Sequence, residues 1–278
     1  MKCGCDSAKL YDSQHRVTEK ADVLINERLT EGIGLLVLAA PGIASEVMPG
    51  QFIHLRVTTG LDPLLRRPFS VYRVETGRIE ILYQVLGRGT RLLSLAQPGD
   101  EFDLIGPLGS GWCIPERTEH ALLVGGGLGA APLGMLAEEL ARTGCAVTVA
   151  LGAPSANRIV GSEVFEAVSR KFVVTTDDGS VGEAGYVTQA SERLLSDGSF
   201  DVVYVCGPEV MAHKVAKQAE AAGVDCQVSL ERLMACGVGA CLSCVVSTKA
   251  GLKRACVDGP VFDAKEVCWD ETEIPPKH

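Results

Sequence analysis

Four cysteines, Cys236, Cys241, Cys244 and Cys256, stand in the spacing C-x4-C-x2-C-x11-C. That is the run by which a plant-type [2Fe–2S] cluster is held, with thiolates as the iron ligands. The loop through the first three is small and glycine-rich, Cys236-Gly237-Val238-Gly239-Ala240-Cys241. A cluster loop needs such residues, because main-chain N–H groups must approach the inorganic sulfurs and larger side chains would hold them off. A structural zinc site is the alternative, but zinc favours two short cysteine pairs well apart, and x4 followed directly by x2 is not that pattern. The expected chemistry is single-electron transfer.

Two glycine-rich turns could hold phosphate. Gly87-Arg88-Gly89-Thr90 precedes a helical stretch expected over 91–95, and glycines before a helix N-terminus free main-chain N–H groups for anions. Gly125-Gly126-Gly127-Leu128-Gly129-Ala130 follows an apolar run and precedes a helix expected over 130–143. It matches the loose form G-x-G-x-x-G/A, which by itself is a weak signal. The acidic residue that a full dinucleotide fingerprint wants about twenty positions on is absent, since the next strand ends Leu151-Gly152-Ala153.

The elements that must position these residues follow from hydrophobic period. Residues 21–115 alternate apolar and polar positions in short runs broken by glycine and proline, as in Phe52-Ile53-His54-Leu55-Arg56-Val57 and Arg78-Ile79-Glu80-Ile81-Leu82-Tyr83. That pattern predicts an antiparallel β-barrel, with 107–115 as a connector. Residues 116–222 predict strands over 120–124, 147–151, 172–175 and 202–205 with helices between them, the signature of a doubly wound α/β domain. Residues 223–278 follow neither pattern and form a small domain around the cysteines, while 1–20 read as a polar extension. The fold class is α+β and multidomain.

Bulk composition sets limits. The 278 residues carry 26 Lys and Arg against 35 Asp and Glu, a net charge of −9, which argues against nucleic acid or an anionic membrane as the main partner. No apolar run reaches the ~20 residues of a membrane span, and 1–20 contain no apolar core of a signal peptide. With eleven cysteines, this leads to an expected cytoplasmic location where thiols serve metals rather than disulfides. Cys3 and Cys5 could form a second metal site but have no partner ligands nearby in sequence, and Cys113, Cys145, Cys226 and Cys268 read as small core or surface residues.

Arg66-Arg67-Pro68-Phe69-Ser70 sits at an expected strand start in the barrel. Here the chain resembles the ferredoxin–NADP reductase superfamily, whose barrel carries an Arg-x-Tyr/Phe-Ser/Thr motif for flavin. The resemblance implies that Arg67 pairs with a flavin pyrophosphate through a forked contact. Ser70 would bond the polar edge of the isoalloxazine, with Phe69 and Pro68 offering apolar surface. It also implies that Leu82, Tyr83 and Gln84 line the flavin, that Gly89 and Thr90 lie at its phosphates, and that the flavin is FAD.

The superfamily's Gly-Gly-Gly-x-Gly-x-x-Pro loop matches Gly125, Gly126, Gly127, Gly129 and Pro132, the proline suiting a first helical turn. Its second nicotinamide-side motif matches Cys206, Gly207 and Pro208, with Glu209 opening the next helix. Asp177-Asp178-Gly179-Ser180 is either a cofactor contact or a solvated turn, and Ser155 and Arg158 could hold a 2′-phosphate, although the subgroup that the chain resembles below implies NAD.

Taken with SLERLMACGVGACLSC and CVDGPVF, these motifs resemble the electron-transfer subunits of NAD-dependent dihydroorotate dehydrogenase over about residues 21–268. The resemblance implies an FMN-containing catalytic subunit as partner, two chains of each in a heterotetramer, and electrons passing from dihydroorotate through the cluster and FAD to NAD+. No base for attacking dihydroorotate is evident, so no catalytic residue is assigned. The alternatives are the small subunit of an NADH-dependent ferredoxin–NADP oxidoreductase or a sulfide-dehydrogenase-like relative, a carrier that no longer reduces nicotinamide, and a zinc-stapled structural subunit.

Overall fold

Alternating side chains divide the first half of the chain between a core and a solvent face, and the resulting strands form one curled sheet. The computed structural model describes residues 16–271; Cys3 and Cys5 lie outside the described residues. Strands β1 (Val17–Thr30), β2 (Ile33–Ala39), β3 (Phe52–Arg56), β4 (Arg67–Ser70), β5 (Arg73–Glu75), β6 (Arg78–Gln84) and β7 (Glu101–Leu108) form one sheet in the order β4-β3-β7-β1-β2-β6-β5. Its pairings are all antiparallel. The sheet curls around Leu36, Leu38, Ile53, Leu55, Ile79, Ile81 and Leu104, all wholly buried. Ile79 and Ile81 point inward while Arg78 and Glu80 stay partly exposed, the period-two division of a half-buried strand. Helix α1 (Pro41–Glu46) plugs one end, and α2 (Arg88–Leu93) follows β6.

The second sheet is built from β8 (His120–Gly126), β9 (Ala146–Ala153), β10 (Lys171–Thr176), β11 (Glu183–Ala184), β12 (Val202–Cys206) and β13 (Asp225–Ser229), in the order β11-β10-β9-β8-β12-β13. These six strands are parallel, and β8, β9 and β12 are nearly continuous apolar runs buried on both faces, as covered parallel strands must be. Helices α3 (Gly134–Arg142) and α4 (Glu163–Val168) cover one face. Helices α5 (Val187–Asp197) and α6 (Glu209–Ala221) cover the other.

The cysteine-bearing segment adds the hairpin β14 (Val245–Thr248) and β15 (Gly251–Arg254), then β16 (Val261–Asp263), which joins the parallel sheet antiparallel to β13. Several expected limits therefore shift. β1 already pairs with β7 at Val17, inside the range expected as an extension, and β13 belongs to the parallel sheet although it lies beyond the expected boundary at residue 222. The helix expected over 130–143 divides into a 3-10 segment over Gly127–Leu133 and α3, and the one expected over 91–95 starts earlier, at Arg88.

Packing ties the units together. Tyr72 and Leu82 of the curled sheet are buried with Leu133, Leu136 and Phe165 of the second unit, and the Tyr72 hydroxyl donates to the Gly161 carbonyl at 3.0 Å. Phe52 and Leu108 pack with Val228, Cys244, Val246 and Cys256. Cys113, expected as a small core or surface residue, is disulfide-bonded. Among the described residues no helix is long and apolar enough to cross a membrane.

Candidate functional site

The eleven residues between Cys244 and Cys256 are mostly the β14–β15 hairpin, so distant sequence positions return side by side. The Ala255 amide donates to the Cys244 carbonyl at 2.9 Å, and the turn after β15 closes with Asp258 N–H on the Arg254 carbonyl at 2.7 Å. The Arg254 side chain clamps that turn through Nε to Asp258 Oδ2 at 3.1 Å. Cys244 and Cys256 are buried, whereas Cys236 and Cys241 are more exposed, and all four are free thiols.

The thiols act on one another, Cys241 on Cys236 and both Cys244 and Cys236 on Cys256. Cys236 Sγ accepts from the amides of Val238 and Cys241, each at 3.4 Å. Burial pushes the Cys236 thiol up, but these amides and the Cys241 side chain outweigh it, leaving Cys236 well below the usual thiol range. Cys256 is held above that range by burial and then by the neighbouring Cys244 thiol. Among the described residues no three His, Cys, Asp or Glu side chains converge as ligands of a single ion. Four free thiols at this spacing, with Cys244 and Cys256 buried side by side, suit the ligand set of a [2Fe–2S] cluster. Gly237 and Gly239 have φ of +71° and +86°, where a Cβ is strained. Leu242 also sits at φ +59° and is exposed.

The two arginines of the barrel motif separate in role. Arg66 is structural, donating to the Asp103 carbonyl at 2.6 Å and to Asp103 Oδ1 at 2.8 Å, which pins β4 to the sheet. Arg67 instead lies over the start of α2, where a Cβ on Gly89 would fall 2.7 Å from Arg67 Nε. The two phosphate-competent elements thus meet. The Thr90 hydroxyl is engaged as a cap, accepting from the amides of Leu86 and Gly87 at 3.0 and 3.2 Å. Pro68 and Ser70 pair across β3 with His54 and Phe52, while Phe69 packs towards the barrel core.

Along β6, Gln84 ends the strand half-buried and Leu82 packs between the two units. The Tyr83 side chain points away from the strand's outer face. Its ring fills the barrel interior against Gly34, and its hydroxyl donates to Asn26 Oδ1 at 2.8 Å. We expect Tyr83→Phe to lower unfolding free energy by about 1 kcal/mol, one hydrogen bond's worth, with flavin content unchanged. Flavin loss from a stably folded variant would place the side chain at the flavin.

The glycines after β8 and the Cys206-Gly207-Pro208 turn after β12 interlock. A Cβ on Gly129 would fall 2.6 Å from Gly207 Cα, and one on Gly126 would fall 2.5 Å from Met211 Sδ. β8 and β12 are adjacent, and the chain winds outward from them in both directions, the switch point at which open α/β sheets bind ligands. Gly125 closes against Ala130 and Leu151, and Gly127 takes φ +56°. Burial pushes the Cys206 thiol up to about 12, so it is neutral. Pro132 lies in the 3-10 turn, its carbonyl accepting from Trp112 Nε1 at 2.9 Å. Asp178 is occupied locally, accepting from the Ser180 amide at 3.0 Å, and Arg158 donates to the Glu31 carbonyl at 3.3 Å.

Two further residues at the site belong to no motif. Arg232 forms a forked pair with Glu209, Nη1–Oε2 3.0 Å and Nη2–Oε1 3.3 Å, tying the approach to Cys236 to the start of α6. His54 is wholly buried on β3, and neither ring nitrogen has a hydrogen-bond partner. Burial lowers its imidazole to about 4, opposed by the Cys236 main chain and reinforced by the Arg66 charge. A lone histidine in the alternating run Phe52–Arg56 was the available signal.

A curled antiparallel sheet, a doubly wound nicotinamide-type unit and a cysteine loop packed on both define an oxidoreductase of the ferredoxin–NADP reductase class. The family model for the iron–sulfur cluster binding domain of dihydroorotate dehydrogenase B matches residues 231–268, and that for an oxidoreductase NAD-binding domain matches 123–217. The chain is 42% identical to the dihydroorotate dehydrogenase B (NAD(+)) electron transfer subunit of Desulforamulus reducens over 237 residues, covering 83% of this chain and 90% of that one. It is 40% identical to the Bacillus caldolyticus subunit over 261 residues, covering 91% and 98%. The solved structure of an NADH-dependent reduced ferredoxin-NADP oxidoreductase, described for flavin-based electron bifurcation, superposes with a TM-score of 0.84 at 34% identity, covering 90% of each chain. The chain belongs to the family of electron transfer subunits of NAD(+)-dependent dihydroorotate dehydrogenase B.

Proposed function

We propose that this chain takes up electrons released when dihydroorotate is oxidised in a separate FMN-containing subunit and delivers them to NAD+ by way of a [2Fe–2S] cluster and FAD. When bound, a flavin exchanges electrons singly with a cluster and as a hydride pair with nicotinamide. The observation that carries this reading is adjacency: the Cys236–Gly237 loop rests on His54, whose strand partner is Pro68 of the flavin motif.

In this reading Cys236 and Cys241 hold one iron and Cys244 and Cys256 the other. Arg67, Pro68, Phe69 and Ser70 bind FAD together with the Gly89–Thr90 helix start, and Leu82 and Gln84 border it. Gly125, Gly126, Gly127 and Gly129 hold the NAD phosphates opposite Cys206, Gly207 and Pro208, where the buried neutral thiol of Cys206 supplies an uncharged wall. The fit is supported by four free thiols at cluster spacing, by the space that Gly89 leaves for Arg67, and by glycines where a Cβ would fill the cradle.

The reading is tested by an anaerobic absorption spectrum before and after NADH, with iron and acid-labile sulfide assayed. Flavin bands with two irons and two sulfides per chain, bleaching with NADH, are expected. A colourless, zinc-containing chain indifferent to NADH overturns it. The likeness to the ferredoxin-NADP oxidoreductase structure favours a second reading as the small subunit of such a complex, and NADPH-linked ferredoxin reduction by the assembled complex would distinguish it.

The catalytic partner docks beside the cysteine loop in this account, in a heterotetramer of two chains of each kind. Leu233, Leu242 and Leu252 are strongly exposed there, and Leu242, Val245 and Leu252 line a groove of about 360 Å³; clustered exposed apolar groups mark contact surfaces. Asparagine tolerates the backbone at Leu242 well. Leu242→Asn is therefore expected to leave the isolated chain's spectrum unchanged. Its dissociation constant for the catalytic subunit should rise roughly tenfold, the worth of one buried leucine, as measured by calorimetry.

A further inference from the structure

β3 is the seam between two candidate redox sites. On one side its residues pair with the flavin motif, His54 opposite Pro68 and Phe52 opposite Ser70. On the other, the imidazole of His54 lies directly under the cysteine loop: a Cβ on Gly237 would fall 2.5 Å from Nδ1 and 3.0 Å from Cγ. Gly237 has no side chain, so the ring and the loop backbone are in contact.

His54 is a costly residue for that position. It is fully excluded from solvent, and both ring nitrogens lack a hydrogen-bond partner. A leucine would fill the same space without leaving a buried donor unpaired, and buried polar groups are retained where a partner completes them. The Cys236 main chain is already among the groups acting on the ring, and it immediately precedes the glycine in contact.

We propose that His54 is the positioning residue for electron exchange between the flavin and the cluster. Its ring N–H engages the Cys236–Gly237 main chain in the loaded protein and fixes the cysteine loop against the strand beside the flavin motif. This rests on the relay reading above. The imidazole touches neither substrate nor ligand sulfur in this role; it sets the spacing and rigidity of the loop that does the ligating.

The test compares the purified loaded chain with His54→Leu, which removes the donor, and His54→Gln, whose side-chain amide restores one. Iron and FAD contents, the EPR g-values of the dithionite-reduced cluster, and the stopped-flow rate at which NADH-derived electrons pass from flavin to cluster are measured for each. In His54→Leu we expect full FAD, altered g-values and transfer slowed on the order of tenfold or more, as small misplacements of reacting groups do. His54→Gln should regain most of both. Loss of iron from His54→Leu alone supports the same role. Wild-type g-values and rate in His54→Leu overturn it, as does a glutamine variant impaired as badly as the leucine one, or iron loss from both, since ring volume rather than the donor would then matter. A wild-type chain without iron overturns the relay reading as well, whereas an intact wild-type relay indifferent to His54 overturns the positioning role alone.

Discussion

Cys244→Ser abolishes NAD+ reduction by dihydroorotate in the assembled complex while FAD stays bound and NADH still reduces an artificial dye. The two halves of this expectation have separate physical grounds. Cys244 is buried beside Cys256 at the base of the β14–β15 hairpin, so a serine there would remove one of the four thiolates proposed to hold the cluster, and oxygen is a poor replacement for a soft sulfur ligand. The residues proposed to bind flavin on β4 and the glycine loops after β8 and β12 lie on other strands, so in this reading hydride exchange between NADH and flavin needs nothing from Cys244. Assays of dihydroorotate:NAD+ and NADH:dye activity on one preparation decide the matter. Unchanged coupled activity with iron absent would refute the relay, and loss of both activities together would mean that the hairpin supports the flavin site too.

The second large effect is expected from Gly129→Ala. The added methyl would sit 2.6 Å from Gly207 Cα and 2.9 Å from Gly207 N. Both atoms are main chain, so no flexible side-chain end can swing aside, and the two loops must separate. Overpacking of this kind costs about 1–3 kcal/mol. If the strain falls on the cradle, NADH binding weakens roughly tenfold to a hundredfold. FAD, proposed to lie on the other unit, is expected to remain at wild-type stoichiometry. Stopped-flow reduction of the flavin over a range of NADH concentrations measures the effect directly. An unaltered NADH dependence would remove the interlocked glycines from the nicotinamide site.

The motif-bearing turns were legible because each rests on residue types with narrow physical uses. Glycines that admit close main-chain approach and cysteines at ligand spacing leave their mark without any knowledge of the fold. Side-chain direction was legible only where alternation was unbroken. Ile79 and Ile81 take the inward face as expected, and the same alternation carries the Tyr83 side chain inward to Asn26. Element limits were less legible still. β13 looked like part of the cysteine segment because a short apolar run acquires its identity from its neighbour, β12, and not from its own composition.

Residue types and spacing alone specify the four-thiol loop, the barrel followed by a doubly wound sheet, and two phosphate-competent turns, because each follows from local period or from a few contiguous residues. Tertiary structure alone decides how these parts are joined. It brings Cys244 and Cys256 together through a hairpin and assigns Arg66 to Asp103 while leaving Arg67 over Gly89. It also adds β16 to the parallel sheet and sets a buried, unpartnered His54 between the flavin motif and the cysteine loop. Such long-range juxtapositions depend on which faces pack, and no local pattern in the chain encodes that.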